Sequence, residues 1–306
     1  TTLDGTINGN DGDVTLNSAV TVDGDSNVSS DNGNVTFVAV VEGPSTLTAD
    51  APTGTVTFTT TVGAATALSG LDVNADVLVL NADVTTAGTV DLTGTDTVNL
   101  TGLGNVTIDS SAGDADILFD NNSTITETAA AQLELVAGAG DIRINDAFIN
   151  DLLVTSGANI SLSGTIDTDV AIDMGGATSV TLTDSVTLIS AGNVDTPTVD
   201  GAQQLSIVSG GAVTLGIVGD SEALESLNAT GASVSTGAIT TNLDTNIIAT
   251  ADAAGAITTS GAVTSNNGAI ELTAQGGVDA TISLGGDVTA DDDASFNGNV
   301  TLDAGA

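Results

Sequence analysis

Between Gly12 and Leu80 the chain carries Val14-Thr15-Leu16, Val35-Thr36-Phe37, Val56-Thr57-Phe58 and Val77-Leu78-Val79. The first valines stand at 14, 35, 56 and 77, a spacing of 21 three times over, and Val98-Asn99-Leu100 follows after 21 more. Each is an apolar-x-apolar triplet, and period-two alternation puts both apolar side chains on one face of a strand. A strand that returns at so constant a spacing describes a coil repeated along a solenoid. A coil of this kind buries its apolar face only against the next one.

Working outward, Ile117-Leu118-Phe119 continues the series at a spacing of 19. Second strands lie between the anchors: Val20-Thr21-Val22, Val38-Ala39-Val40, Val90-Asp91-Leu92 and Val106-Thr107-Ile108. Turn clusters such as Asn8-Gly9-Asn10-Asp11-Gly12 and Asp31-Asn32-Gly33-Asn34 separate them, and Asn, Asp and Gly accept the backbone of tight corners. The pattern resumes at Ile142-Arg143-Ile144, Ile160-Ser161-Leu162, Val180-Thr181-Leu182, Leu205-Ser206-Ile207, Val213-Thr214-Leu215, Ile270-Glu271-Leu272, Ile282-Ser283-Leu284 and Val300-Thr301-Leu302. The steps from 142 to 160, 160 to 180 and 282 to 300 are 18, 20 and 18, a drift that fits corners that accept insertions. The expectation is an all-β, right-handed parallel β-helix, a solenoid whose coils repeat at roughly 18–21. Residues 1–306 read as a single β-solenoid segment, a piece of a longer chain. Two stretches, Thr126–Leu133 and Ser221–Leu227, admit a short helix instead, the second with Asp220 or Ser221 placed to cap it, and in both a further coil is preferred.

Aromatic residues make up only 2% of the chain, without Trp or Tyr, so the core must be built from Val, Ile, Leu and Ala. Phe37 and Phe58, one repeat apart, are expected to stack in adjacent coils in line with Leu16 and Val79.

Forty acidic residues face one base, Arg143, for a net charge of −39. That balance argues against nucleic acid and anionic membrane surfaces as direct partners, because both are held by Lys and Arg. No long apolar stretch is present to span a membrane as a helix. Divalent cations are the expected partners, since parallel coils bring like charges within reach of one another and cations relieve that repulsion.

His, Cys and Lys are missing from the sequence, which removes imidazole, thiolate and amine chemistry. The Asp pairs 114/116 and 167/169 read as solvated turn acids, and no enzyme activity is expected. Calcium, which takes several oxygen ligands, suits corners rich in Asp and Asn. The best clusters are Asn8, Asn10, Asp11 and Asp13; Asp23, Asp25 and Asn27; and Asp291, Asp292 and Asp293. Asp23-Gly24-Asp25-Ser26-Asn27 has the alternate spacing of an EF-hand start, but Val28 stands where that loop needs Gly. No organic cofactor is expected. Arg143, between Ile142 and Ile144, should face outward near Asp141 and Asp146 in a surface ion pair.

Gly33-Asn34-Val35-Thr36-Phe37, Gly211-Ala212-Val213-Thr214-Leu215, Gly268-Ala269-Ile270-Glu271-Leu272 and Gly298-Asn299-Val300-Thr301-Leu302 resemble repeats of large secreted bacterial β-helical proteins. These include the filamentous-haemagglutinin-type adhesins, autotransporter passengers and giant surface-layer or sheath proteins. The resemblance covers most of the chain and is one of repeat style. It implies an extracellular, cell-surface role, structural or adhesive. Two functions follow as expectations: a structural repeat of a surface layer, sheath or filament, associating with further coils or copies of itself, or the stalk or binding module of a secreted adhesin.

Overall fold

The computed structural model describes residues 1–102, 104–128, 131–251, 255–276 and 279–302. It is an all-β parallel β-solenoid of about 14 turns, 61% strand. Among the described residues 3-10 geometry is confined to a turn at Ser111–Gly113 and to Asp279. Two compact units make up the chain, Thr1–Ile160 and Ser161–Ala306.

In the first unit three parallel ladders run from coil to coil. One passes through Val20, Val41, Val62, Val84, Ile108 and Leu135. A second passes through Leu47, Leu71, Val90, Ile117 and Ile142. The third passes through Val14, Val35, Val56, Leu78, Val98, Ile125 and Ala147. The second unit repeats the plan. Its ladders run from Ile172 through Val194, Val213, Val234 and Ile257 to Ile282, from Val180 through Val199, Val218, Ile239 and Val263 to Val288, and from Val186 through Leu205, Leu227, Thr245 and Ile270 to Ala294.

Because the ladders are parallel and in register, each inward side chain sits over its counterpart about 4.8 Å away. The core is therefore a set of columns, and Val, Ile and Leu fill them with almost no exposed surface. Phe37 and Phe58 occupy one such column. Their rings stack 4.8 Å apart at 8°, and both are buried. Close coil-to-coil contact at corners explains the glycine that opens several repeats. A Cβ on Gly33 would lie 2.7 Å from the Gly12 carbonyl carbon, and one on Gly268 would lie 2.6 Å from that of Leu243.

The register departs from the sequence reading at three places. Val56 pairs with Leu78, not Val77, and Phe58 with Leu80, not Val79. The run Val77-Leu78-Val79-Leu80 has two alternation frames, and an irregularity between Ala51 and Thr55 selects the one that buries Leu78 and Leu80. Ile117 belongs to the ladder of Val90, so the partner of Val98 is Ile125, well past the expected return. That coil exceeds the expected length because it holds the turn at Ser111–Gly113. Val38-Ala39-Val40 is not a strand: Val38 and Val40 are exposed, and the partner of Val20 is Val41. Residues 221–227 form no helix. Leu224 bridges to Thr241, and strand Ser226–Gly231 follows. In the other doubtful stretch, Thr124–Glu127 and Gln132–Val136 are strands, while residues 129 and 130 lie outside the described residues.

Truncation tests this register. Phe58→Ala should cost about 3–5 kcal/mol and Leu80→Ala about 2–5 kcal/mol, whereas Val79→Ala, on the outer face, should cost no more than about 1 kcal/mol. Hydrogen exchange of the amides in Val35–Phe37 and the coils beside it reads the difference locally. A larger loss for Val79→Ala than for Leu80→Ala would restore the sequence register.

Candidate functional site

The residue just before the first buried side chain of a strand is, again and again, Asp or Asn, and the corners show why. In a parallel ladder that residue's N–H points back at the previous coil, beyond the last strand carbonyl able to take it. A short carboxylate or carboxamide one coil earlier supplies the acceptor. Asp13 Oδ1 accepts from the Asn34 N–H at 2.8 Å, and Asn34 Oδ1 accepts from the Thr55 N–H at 2.9 Å. Asp116 Oδ1 takes the Asp141 N–H at 2.8 Å, and Asp141 Oδ1 takes the Asn159 N–H at 3.2 Å. The same bracket recurs at Asp25 to Thr46, Asp83 to Thr107, Asn193 to Ala212 and Asp244 to Ala269. Each donor is the register neighbour of the residue that accepts from it.

These brackets redefine the expected cation clusters. Asp13 is engaged with Asn34, and Asp11 Oδ1 accepts from Asn32 Nδ2 at 2.6 Å. Asn8 Oδ1 accepts from the Asn10 N–H at 2.5 Å, closing its own turn. Asp291, Asp292 and Asp293 are exposed, and the backbone of Asp293 accepts from the Ile270 N–H at 2.9 Å. Asp114, read as solvated, accepts from the Ala139 N–H at 3.0 Å. Asp23 is exposed, and its N–H donates to the Leu3 carbonyl at 2.8 Å. Among the described residues no three Asp or Glu side chains converge on one point as a metal-holding group.

Asp25 and Asn27 do come together, on the outer face of one strand. With Thr6, Ser26, Thr46 and Thr48 they line a groove of about 350 Å³. Thr6, Asn27 and Thr48 are register neighbours on three successive coils. In the second unit a groove of about 350 Å³ is lined by Gln204, Asn228, Asp244, Asn246 and Glu271, among others. There Asn228, Asn246 and Glu271 are register neighbours. The sequence reading missed this second groove. Its signal was present, since Asp244-Thr245-Asn246-Ile247 matches Asp25-Ser26-Asn27-Val28.

Stacking also sets acids on acids. Asp72 is the register partner of Asp91, and burial first, then Asp91 and Asp50, pushes its carboxyl above the ordinary range. Asp195 is raised likewise by burial and by its partner Asp173. Arg143 is half-buried on the outer side of its strand, and its Nε donates to the Phe119 carbonyl at 2.8 Å, tying two coils. The comparisons find no family model, no curated protein and no solved structure that matches this chain.

Removing a bracket should be felt locally. Asp116→Ala should cost about 1 kcal/mol and speed exchange of the Asp141 amide, while Asp116→Asn keeps an acceptor and most of the stability. Equal losses in both variants would show that charge, not the hydrogen bond, is what matters there. For Asp72 the folded pKa lies above the unfolded one, so the native state holds its proton more tightly and stability falls as pH rises through that window. Asp72→Asn should therefore raise the melting temperature at neutral pH, with the gain vanishing below the ordinary value of 3.8. A gain that persists in acid would point to a cause other than ionisation.

Proposed function

We propose that this chain is a non-catalytic structural segment of an extracellular bacterial cell-surface assembly: a surface layer, sheath or filament. The observation that carries this reading is the continuous in-register stacking of parallel coils, about 14 turns of it, a fold that extends by adding coils. The coil built from Val288–Ala290, Ala294–Asn297 and Asn299–Leu302 shows what each coil offers the next. By register, Phe296 continues the column of Leu272, Val300 that of Ile282, and Leu302 that of Leu284. The earlier members are buried, yet Phe296, Val300 and Leu302 are 37%, 46% and 64% exposed. With Leu284 and Val288 they line an apolar groove of about 370 Å³. An apolar face of this shape is complementary to another parallel coil, whether a further coil of the same chain or one supplied by a second copy. Association of copies by such faces is heterologous, and where the rotation does not close it grows filaments.

Two further features support the reading. The sequence lacks His, Cys and Lys, and several of the acids, such as Asp13, Asp83 and Asp116, are engaged in holding coils together. A cysteine-free chain carrying −39 also suits the outside of a cell, where surfaces are bathed in divalent ions.

Sedimentation of the full chain over a wide concentration range tests the proposal. The wild type should form growing oligomers, Val300→Asp with Leu302→Asp should abolish them, and Val208→Asp, at an exposed outer position, should not. A wild type that stays monomeric throughout overturns the assembly reading in favour of an adhesin stalk.

A further inference from the structure

In the first unit the outer faces of the solenoid differ in charge. The face over the ladder of Leu47 and Leu71 carries Asp72 on Asp91, and the face over the ladder of Val84 and Ile108 carries Asp109 and Glu134. The third face, over the ladder from Val14 to Ala147, is built otherwise. On its five inner coils, from Asn34 to Thr128, each strand presents three outward positions, and every one of them is Thr, Asn or Val. The middle column runs Thr36, Thr57, Val79, Asn99, Thr126 and Phe148. Glu127, between two outward positions, is in register with Leu100, and its carboxylate accepts from the Ala131 N–H at 3.0 Å. The nearest exposed acids, Asp76, Asp83 and Asp96, stand along the two edges of the face. Phe148 is 46% exposed at the end of the middle column.

We propose that this face pairs with the same face of a second copy of the chain, the two solenoids lying side by side and parallel. The inference extends the assembly reading sideways, on contacts that do not involve the coil of Phe296, Val300 and Leu302. Two copies carrying −39 each repel one another wherever acids face acids. Here the inner coils bring none. A carboxylate face only accepts hydrogen bonds, whereas Thr and Asn both donate and accept, so this face is complementary to itself. Thr and Val also present methyl groups at the regular spacing that lets two sheets pack about 10 Å apart. Seven coils at ~4.8 Å and three columns at ~6.6 Å make a face of roughly 650 Å² per copy. The pair then buries about 1,300 Å², at the lower end of the range for specific interfaces. The end coils set the direction. About a two-fold axis parallel to the solenoids, the column that begins at Asp13 and ends at Asp146 faces the column of Asn17 and Asn150, and Phe148 meets its own counterpart. Antiparallel solenoids would set Asp13 against Asp146.

The test is sedimentation equilibrium of the full 306-residue chain, carrying Val300→Asp and Leu302→Asp so that growth through the end coil is absent. A reversible dimer is expected, and it should tighten as sodium chloride screens the net charge. Thr57→Asp with Thr126→Asp should return it to monomer. Phe148→Ala should weaken it about tenfold or more, and Val208→Asp, at an exposed position of the second unit, should leave it unchanged. Because the chain has no cysteine, single replacements map the contact without altering charge, which keeps the test open should the acidic variant unfold. A short bismaleimide should join copies carrying Thr36→Cys and, separately, copies carrying Val79→Cys. In antiparallel solenoids Thr36 would face Thr126, and only Val79→Cys would be joined. A monomer at every concentration and salt, a dimer that Val208→Asp dissolves, or one that Thr57→Asp with Thr126→Asp leaves intact would overturn the proposal. So would joining of Val79→Cys without Thr36→Cys. None of these outcomes bears on growth through the end coil, which is read in the chain that keeps Val300 and Leu302.

Discussion

Everything in this chain depends on in-register parallel stacking of the backbone. In a parallel ladder each residue lies over one partner in the coil before and one in the coil after, so a choice made once is repeated by its neighbours. Inward positions become columns of Val, Ile and Leu. The stack of Phe37 on Phe58 is such a column made visible by its rings. The same geometry fixes the corners, where backbones approach too closely for any side chain at Gly33 or Gly268.

Stacking also has a cost, and it falls on the acids. An Asp on an outer position meets whatever its partner carries, and Asp72 over Asp91 or Asp173 over Asp195 sets like charge on like. The chain tolerates a net charge of −39 because many of its carboxylates do a second job at the corners. An ionised carboxylate is a strong acceptor for an N–H that would otherwise face the previous coil unmet. Where Asp116 stacks on Asp141, acids that repel one another also hold successive coils in register through the backbone. This double role separates Asp13 and Asp116, which bracket coils, from Asp291, Asp292 and Asp293, which lie exposed in a turn.

From the sequence alone came the solenoid, its parallel strands, the aliphatic core and the phenylalanine stack. These follow from period-two alternation and the constant return of the valine triplets, which are local and repeat often enough to be unmistakable. The Asp25 and Asn27 pairing was also legible, because alternate residues of a strand share a face. Tertiary structure alone decided the frame of Val77-Leu78-Val79-Leu80, since four apolar residues in a row satisfy either alternation and only the neighbouring coil breaks the tie. It decided as well that Ile117 follows Val90, not Val98, because an enlarged corner hides the true return distance from any count along the chain. The roles of Asp13, Asp114 and Asp116 were out of reach for the same reason. An acid in a turn reads as solvated until the coil beside it brings an N–H to its oxygen, and that N–H belongs to a residue a full coil further along the chain.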